Sequence, residues 1–209
     1  MGQNEQGASE GGSSSKEEES KKTDYEYKMV ENAILVSEKK PDWNSLTLDA
    51  ELIYSDWAIL TLDLYKQNID NQKILSFNVD LDSLVKAIKE KNKEQTLGLL
   101  AKLYSYIPVY YAGFSNDQMK INLYKVKSSV FNAYAILEQN NNEEIKKQLQ
   151  TAEEAMLAMI NHMGNKEEKE YNINKAYILL KDLQNTVDRN DADIFYLKYK
   201  NLIEELDIL

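Results

Sequence analysis

Residues 46–64 read LTLDAELIYSDWAILTLDL, and this stretch decides the fold class. One set of apolar residues recurs at alternating spacings of four and three, which places it along one face of an α-helix. The members of this set are Leu46, Ala50, Ile53, Trp57, Leu60 and Leu64. Other faces of the same helix carry Leu52, Tyr54, Ile59 and Leu62. We therefore predict a long helix that follows Asp42 and lies at the centre of a helical bundle.

Helix-breaking residues are rare in the rest of the chain. Residues 25–209 contain three of the seven glycines and both prolines, and they are rich in Leu, Lys, Glu and Ala. Helical periodicity predicts further helices over about residues 80–91, 94–113, 115–137, 142–163, 173–187 and 195–206. Asn-containing turns precede several of them, and Asn is a good N-cap. We predict an all-α domain over 25–209, a single antiparallel bundle of six or seven helices built from helical hairpins.

Proline and capping residues refine these boundaries. Pro108 lies inside the 94–113 pattern, where proline costs about 3 kcal/mol, so we expect a kink or a new helix there. Ser115 with Gln118 fits a capping box that opens the next helix. Gly164 fits a C-terminal cap. Residues 25–40 allow a short helix, which we favour, or an extended segment that crosses the bundle.

The composition excludes most catalytic chemistry. The 209 residues include one histidine and no cysteine, and 35 acidic against 25 basic residues give a net charge of −10. Without cysteine there is no disulfide, thiol nucleophile or Cys-ligated metal. An acidic chain whose only arginine is Arg189 does not suit nucleic-acid phosphates. We predict a protein that is not an enzyme, needs no cofactor and binds no nucleic acid.

The single histidine, His162, also argues against a metal centre. It lies near the predicted end of the 142–163 helix, where a positive charge is mildly favoured. Di-iron sites in helical bundles need a Glu-x-x-His motif on each of two helices, and one histidine cannot supply two. We therefore predict neither a catalytic residue nor a metal site.

Three carboxylates recur every seven residues on the first predicted helix. Asp49, Asp56 and Asp63 share one face there, next to Trp57 and Leu64. Two interpretations stay open. Asp56 and Asp63 could line an acidic groove for a cationic ligand, or the row could be an edge of the helix that is solvated or paired with lysine.

Tyrosines are concentrated around residues 104–114. Tyr104 and Tyr111 fall on the apolar stripe of their predicted helix, so core packing is the default for them. Tyr106 and Tyr110 point elsewhere. If these two are exposed together, they are our candidate contact surface for a protein or small ligand.

Residues 1–24 contain no Val, Ile, Leu, Phe, Tyr or Trp, and this composition predicts a disordered polar tail. The tail has no apolar h-region, so it is not a signal peptide. It resembles the spacer that follows the lipidated cysteine of bacterial lipoproteins, although this chain has no such cysteine. Nor is any apolar stretch in the sequence long enough to span a membrane.

Two body segments extend this resemblance. Residues 107–114 read IPVYYAGF and residues 171–185 read YNINKAYILLKDLQN. Together with the tail they resemble an uncharacterised family of lipoproteins of clostridial, low-GC Gram-positive type with an all-helical domain. The resemblance implies a cell-surface protein that contacts the membrane only through a lipid anchor, and it brings no known catalytic residues. We expect a monomeric binding or structural module on the outer face of the cell membrane. The alternative is a cytosolic helical adaptor that binds a protein partner.

Overall fold

Helices make up almost all of the residues that the structure describes. The structure is a computed structural model, and it describes residues 41–67, 69–162, 167–189 and 191–209. These ranges contain no strand, so the prediction of an all-α fold is confirmed. The predicted tail over 1–24, the segment 25–40 and the Gly164 cap lie outside the described residues.

Eight α-helices follow one another in these ranges. They are α1 (Trp43–Lys66), α2 (Asn71–Lys89), α3 (Lys93–Tyr104), α4 (Ile107–Phe114), α5 (Gln118–Ala135), α6 (Asn142–His162), α7 (Glu167–Gln184) and α8 (Ala192–Asp207). Short 3₁₀ helices at Leu137–Gln139 and Val187–Arg189 precede α6 and α8. The sequence predicted six or seven helices and treated residues 94–113 as one helical pattern. That pattern spans both α3 and α4, so counting these two as one gives seven helices. The antiparallel order of the hairpins stays a prediction.

Pro108 explains the break between α3 and α4. It lies in the first turn of α4, where a backbone N–H would have no acceptor within the helix. The ring therefore fits this position, whereas in a continuous helix it would remove a hydrogen bond. Of the two outcomes predicted for Pro108, the structure has the new helix.

Short polar side chains start most of the helices. Each accepts a hydrogen bond from a backbone N–H in the first turn, and they are Asp42, Asp70, Asn92, Asp117 and Asp191. Because Asp70 caps α2, that helix starts at Asn71 and not near residue 80, so the predicted start was wrong. The residues from 71 to 79 bury only Ile74, which left a weak helical pattern in the sequence.

The predicted capping box at Ser115 was also wrong. Asp117 is the N-cap of α5, and its Oδ1 lies 3.2 Å from the backbone N of Lys120. The Ser115 hydroxyl oxygen instead accepts a hydrogen bond from the backbone N–H of Asp117. Ser115 thus shapes the turn before the cap.

The buried apolar side chains form two cores. The first joins α1 to α4 and contains Ala50, Trp57, Leu64, Ile74, Leu81, Leu84, Ile88, Leu103 and Tyr110. The second joins α5 to α8 and is larger, with Leu149, Met156, Leu180, Phe195 and Leu202 among its fully buried members. Helix α5 also packs against α3 and α4, and so connects the two cores.

Among the described helices, α1 packs mainly against α2 and lies at an edge, so the prediction of a central helix was wrong. Its buried residues are Ala50, Trp57 and Leu64, which are spaced by seven and form a narrow stripe. Ile53 and Leu60, which the sequence placed on the same stripe, are 36% and 40% exposed. The structure has no second layer of described residues over the rest of α1, and most of its apolar side chains face outward.

Candidate functional site

The most unusual surface of the described chain is the outward face of α1. Leu48, Leu52, Ile59 and Leu62 are between 62% and 68% exposed. With the exposed Ser55 they follow one another at spacings of four, three, four and three, which is the heptad pattern of a helix that packs against another helix. We call these five residues the outer stripe. Contiguous exposed apolar surface of this kind marks interaction sites in soluble proteins.

The acid row borders the outer stripe. We use this name for Asp49, Asp56 and Asp63, each of which directly follows a member of the stripe. All three are exposed. The Asp63 carboxylate accepts a hydrogen bond from the Lys66 ammonium at 2.9 Å. Within the described residues, no cation pairs with Asp49 or Asp56.

The position of the acid row bears on its two interpretations, an acidic groove or a solvated edge of the helix. The three carboxylates lie on the convex surface of a helix, and the cavity beside α1 is lined by other residues. Their exposure and the Lys66 pair at Asp63 agree with a solvated, lysine-paired edge. The acidic groove through Asp56 and Asp63 is therefore not the arrangement found, although the row lies on the border of an apolar contact surface.

Tyr106 and Tyr110 are not exposed together, so the condition for our tyrosine contact surface is not met. Tyr110 is 6% exposed, and its hydroxyl donates to the Lys73 carbonyl oxygen at 2.9 Å. Tyr106 is half-buried, and its ring stacks on that of Tyr110 with centroids 5.7 Å apart. Tyr110 is a buried member of the first core, and Tyr106 packs against that core.

Asp80, which the sequence did not single out, explains the position of Tyr106. This buried carboxylate accepts a hydrogen bond from the Lys102 ammonium at 2.6 Å and another from the Tyr106 hydroxyl at 2.9 Å. Burial, and then the hydrogen bond to Asp80, raise the pKa of Tyr106 to about 12. Each carboxylate oxygen thus has a partner, and the group holds α2, α3 and the segment before α4 together.

A groove of about 360 Å³ lies between α1 and α2. Its lining combines apolar and charged side chains, namely Thr47, Ala50, Glu51, Tyr54, Val85, Ile88 and Lys89. The Tyr54 hydroxyl donates to Asp82 on α2, and burial with this hydrogen bond raises the pKa of Tyr54 to about 12.

His162 lies at the exposed end of α6. Its Nδ1 is 2.7 Å from the carbonyl oxygen of Ala158, one turn earlier on the same helix. Across the described ranges, no three His, Cys, Asp or Glu side chains cluster where they could hold a metal ion. None of the helices in those ranges is long and apolar enough to cross a membrane.

Comparison with protein-family models, curated proteins and solved structures finds no match for this chain. The resemblance to lipoproteins of clostridial type therefore stays a prediction. A functional interpretation rests on the chain's own surfaces, of which the outer stripe is the most distinctive.

A second apolar stripe in the sequence of α1 indicates the outer stripe, and the sequence-based prediction did not use it. Residues 46–64 carry two stripes with alternating spacings of four and three, offset by two residues. One holds Trp57 and Leu64 and is partly buried; the other holds Leu52 and Ile59 and is exposed. A helix at the edge of a fold packs on the core through one apolar face. The second stripe of α1 is therefore an additional apolar face.

Proposed function

We propose that this chain is a non-enzymatic binding module that contacts a protein partner through the outer stripe of α1. The observation that carries the proposal is the exposure of Leu48, Leu52, Ile59 and Leu62 at heptad spacing. These side chains contribute little to the fold because they remain in water. Their regular spacing along about four helical turns suits an elongated partner, and a helix is the element that best matches it.

The energetics favour a partner that covers more than the stripe alone. Full burial of one Leu or Ile contributes about 1.5–3 kcal/mol. About two-thirds of each of the four side chains is still to be buried, so covering them contributes roughly 4–8 kcal/mol. Association costs about 4–15 kcal/mol in lost freedom. A stable complex therefore requires further contacts beside the stripe.

A pair of matched variants tests the proposal. Leu52→Gln/Ile59→Gln removes apolar surface from the middle of the outer stripe. Ile178→Gln is the control, because Ile178 is 66% exposed on α7, in the other half of the protein. Full-length protein carrying a photo-crosslinker at residue 48 is incubated with extract from the source cells. We expect the same crosslinked protein with the parent chain and with Ile178→Gln, and its loss with the double variant.

Crosslinking that is equal in all three proteins would contradict the proposal. The folded state of each variant is checked by circular dichroism, so that loss of structure is not mistaken for loss of contact. An enzymatic activity would have a separate readout. A substrate turned over by the parent chain and by the double variant at equal rates would replace the binding module with a catalyst located elsewhere.

For location, we propose that the module is held on the outer face of the cell membrane by a lipid anchor. The support is the Gly, Ser and Glu composition of residues 1–24, which resembles a lipoprotein spacer. The same α1 surface would serve the alternative, a cytosolic adaptor. The genomic reading frame before Gly2 separates the two. An apolar stretch that ends in a cysteine supports the anchor, and a frame that starts at Met1 contradicts it.

A further inference from the structure

The acid row indicates the chemistry of the partner. Residues spaced by seven recur about every 10.5 Å along a helix, so Asp49, Asp56 and Asp63 form a line of evenly spaced carboxylates. When the outer stripe is assigned to the two apolar positions of the heptad, a and d, the acid row falls at the e position. In a pair of packed helices, residues at e lie beside the apolar seam and face the partner helix. A helix packed on the stripe would therefore lie against the row.

Apolar side chains border the acid row on both sides. Leu52 and Ile59 belong to the outer stripe, while the partly exposed Ile53 and Leu60 lie on the opposite side of the row. A partner that covers the stripe consequently removes water from the carboxylates as well. Desolvated carboxylates without a cation oppose binding strongly.

The described residues supply little compensation for this charge. Lys66 pairs with Asp63, but among the described residues Asp49 and Asp56 have no cationic partner. A partner that brings counter-charges would offset the cost of removing water from these two carboxylates. Lysine or arginine at every seventh position of an amphipathic helix would reach all three carboxylates.

A second copy of this chain does not meet the requirement. Two α1 helices packed antiparallel through the outer stripe would place one acid row against the other. Packed parallel, they would bring Asp56 of one copy near Glu51 of the other, because these residues take opposite flanking positions. Like charges across such a seam are unfavourable, and the only lysine on α1 is Lys66.

We infer that the occupant of the outer stripe is an amphipathic helix of another protein, with apolar residues at heptad spacing and lysine or arginine at the flanking position that meets Asp49, Asp56 and Asp63. This inference rests on the proposed function, because it needs the stripe to be a contact surface. It adds the charge of the partner and the register in which it packs.

Three synthetic peptides of four heptads test the inference. All carry Leu at the two central heptad positions, and the flanking positions hold Lys in the first, Gln in the second and Glu in the third. Binding of each to the full-length protein is measured by fluorescence anisotropy at low salt. We expect the Lys peptide to bind about tenfold more tightly than the Gln peptide. The Glu peptide is expected to bind most weakly, and added salt to reduce the difference.

Two variants connect this preference to the acid row. Asp49→Asn/Asp56→Asn/Asp63→Asn is expected to bring the Lys and Gln peptides to equal affinity while both still bind. The control, Glu143→Gln/Glu154→Gln/Asp193→Asn, removes the same number of charges from exposed positions on α6 and α8. This control is expected to keep the preference for the Lys peptide over the Gln peptide. If the preference came only from attraction to the net charge of −10, both variants would reduce it equally.

The outcomes separate the inference from the proposed function. If both peptides bind equally to the parent chain and Leu52→Gln/Ile59→Gln abolishes binding, the stripe is a contact surface and the basic partner is wrong. If no peptide binds, or the double variant binds as the parent does, both proposals fail. A concentration-dependent dimer in sedimentation, lost in the double variant, would replace the basic helix with a second copy.

Discussion

The half of the protein formed by α1 to α4 buries its first helix on one side, whereas α5 to α8 surround their shared core. Leu149, Leu180 and Phe195 are at most 1% exposed in the second half. In the first half, α1 buries only Ala50, Trp57 and Leu64, and leaves the outer stripe in water. The second core is thus enclosed by its own four helices. In the first half, the described residues leave one apolar face of α1 exposed.

Ion pairs differ between α1 and the second half of the protein. In the second half, lysines reach across helices to carboxylates, as in Lys181 to Glu153 at 3.0 Å and Lys198 to Asp182 at 2.6 Å. On α1 the one pair is local, between Lys66 and Asp63. Charges thus connect helices in the second half and stay available on the outward face of α1.

The largest expected effect is the loss of a second-core side chain. Phe195→Ala removes a ring that is 1% exposed, and we expect it to lower the free energy of unfolding by about 3–5 kcal/mol, measured by urea denaturation. Phe114→Ala, at a ring that is 47% exposed in the first half, is the control and should cost less than about 1 kcal/mol. If both variants lowered the free energy of unfolding equally, the proposed difference in side-chain burial between the two positions would be wrong.

Removing the buried carboxylate of the first half should have the next largest effect. Asp80→Ala leaves the Tyr106 hydroxyl without its acceptor and Lys102 without its counter-charge. We expect a loss of about 1–3 kcal/mol in thermal or urea unfolding, reduced because Lys102 is largely exposed. Asp82→Ala removes an exposed acceptor on the same helix and should cost less. The reverse order would contradict the burial of the Asp80 group.

A smaller effect concerns Glu153, which connects α6 to α7. The hydrogen bond from Gln184, followed by that from Lys181, lowers the pKa of Glu153 below its ordinary value of 4.5. The folded state therefore favours the carboxylate, so this contribution is complete above the unfolded pKa and disappears as pH falls through the folded pKa. Glu153→Gln should be less stable than the parent chain by on the order of 1 kcal/mol at neutral pH.

The difference between the parent chain and Glu153→Gln should start to shrink as pH falls below the ordinary pKa of 4.5 and should close as pH falls through the lowered folded pKa. Urea denaturation at a series of pH values measures it. Glu154→Gln, at the exposed neighbouring position, should leave stability unchanged throughout. A difference that stays constant down to about pH 2.5 would mean that Glu153 stabilises the fold by packing and not by charge.

The smallest change in the free energy of unfolding is expected from a substitution in the outer stripe. This substitution tests most directly whether that face of α1 is exposed in the free protein. Leu52→Gln should change the free energy of unfolding of the isolated protein by less than about 0.5 kcal/mol, because the side chain is already in water. Leu64→Gln, on the buried side of the same helix, is the contrast and should destabilise the whole protein strongly, because a polar amide would replace a fully buried apolar side chain. If Leu52→Gln destabilises the protein by more than about 1 kcal/mol, the stripe is covered in the free protein.

Local sequence patterns predicted the helical class and several details of the fold. The alternating spacing placed Ala50, Trp57 and Leu64 correctly in a core, and Pro108 marked a real helix boundary. Both follow from interactions within a few turns of one helix, so the sequence contains them directly. The predicted start of α2 was wrong because residues 71 to 79 bury little apolar surface.

The candidate site depended on information that no single helix holds. The two stripes of α1 have the same spacing, and only the packing of α2 against one of them decides which is exposed. Tyr110 could serve a surface or a core, and its packing near Trp57 and Phe77 on other helices places it in the core. The acid row was visible as a spacing of seven. Its place beside an exposed apolar face required the three-dimensional structure.

Because α5 packs against α3 and α4 as well as α6 and α8, we expect the two cores to unfold in one transition. Any ligand that binds only the folded chain then stabilises every helix, including those far from its contact. At a concentration one hundred times its Kd, the gain is about 2.7 kcal/mol. Hydrogen exchange at the amides of α8 would therefore slow when a partner occupies α1, so α8 would report on the occupancy of a distant surface.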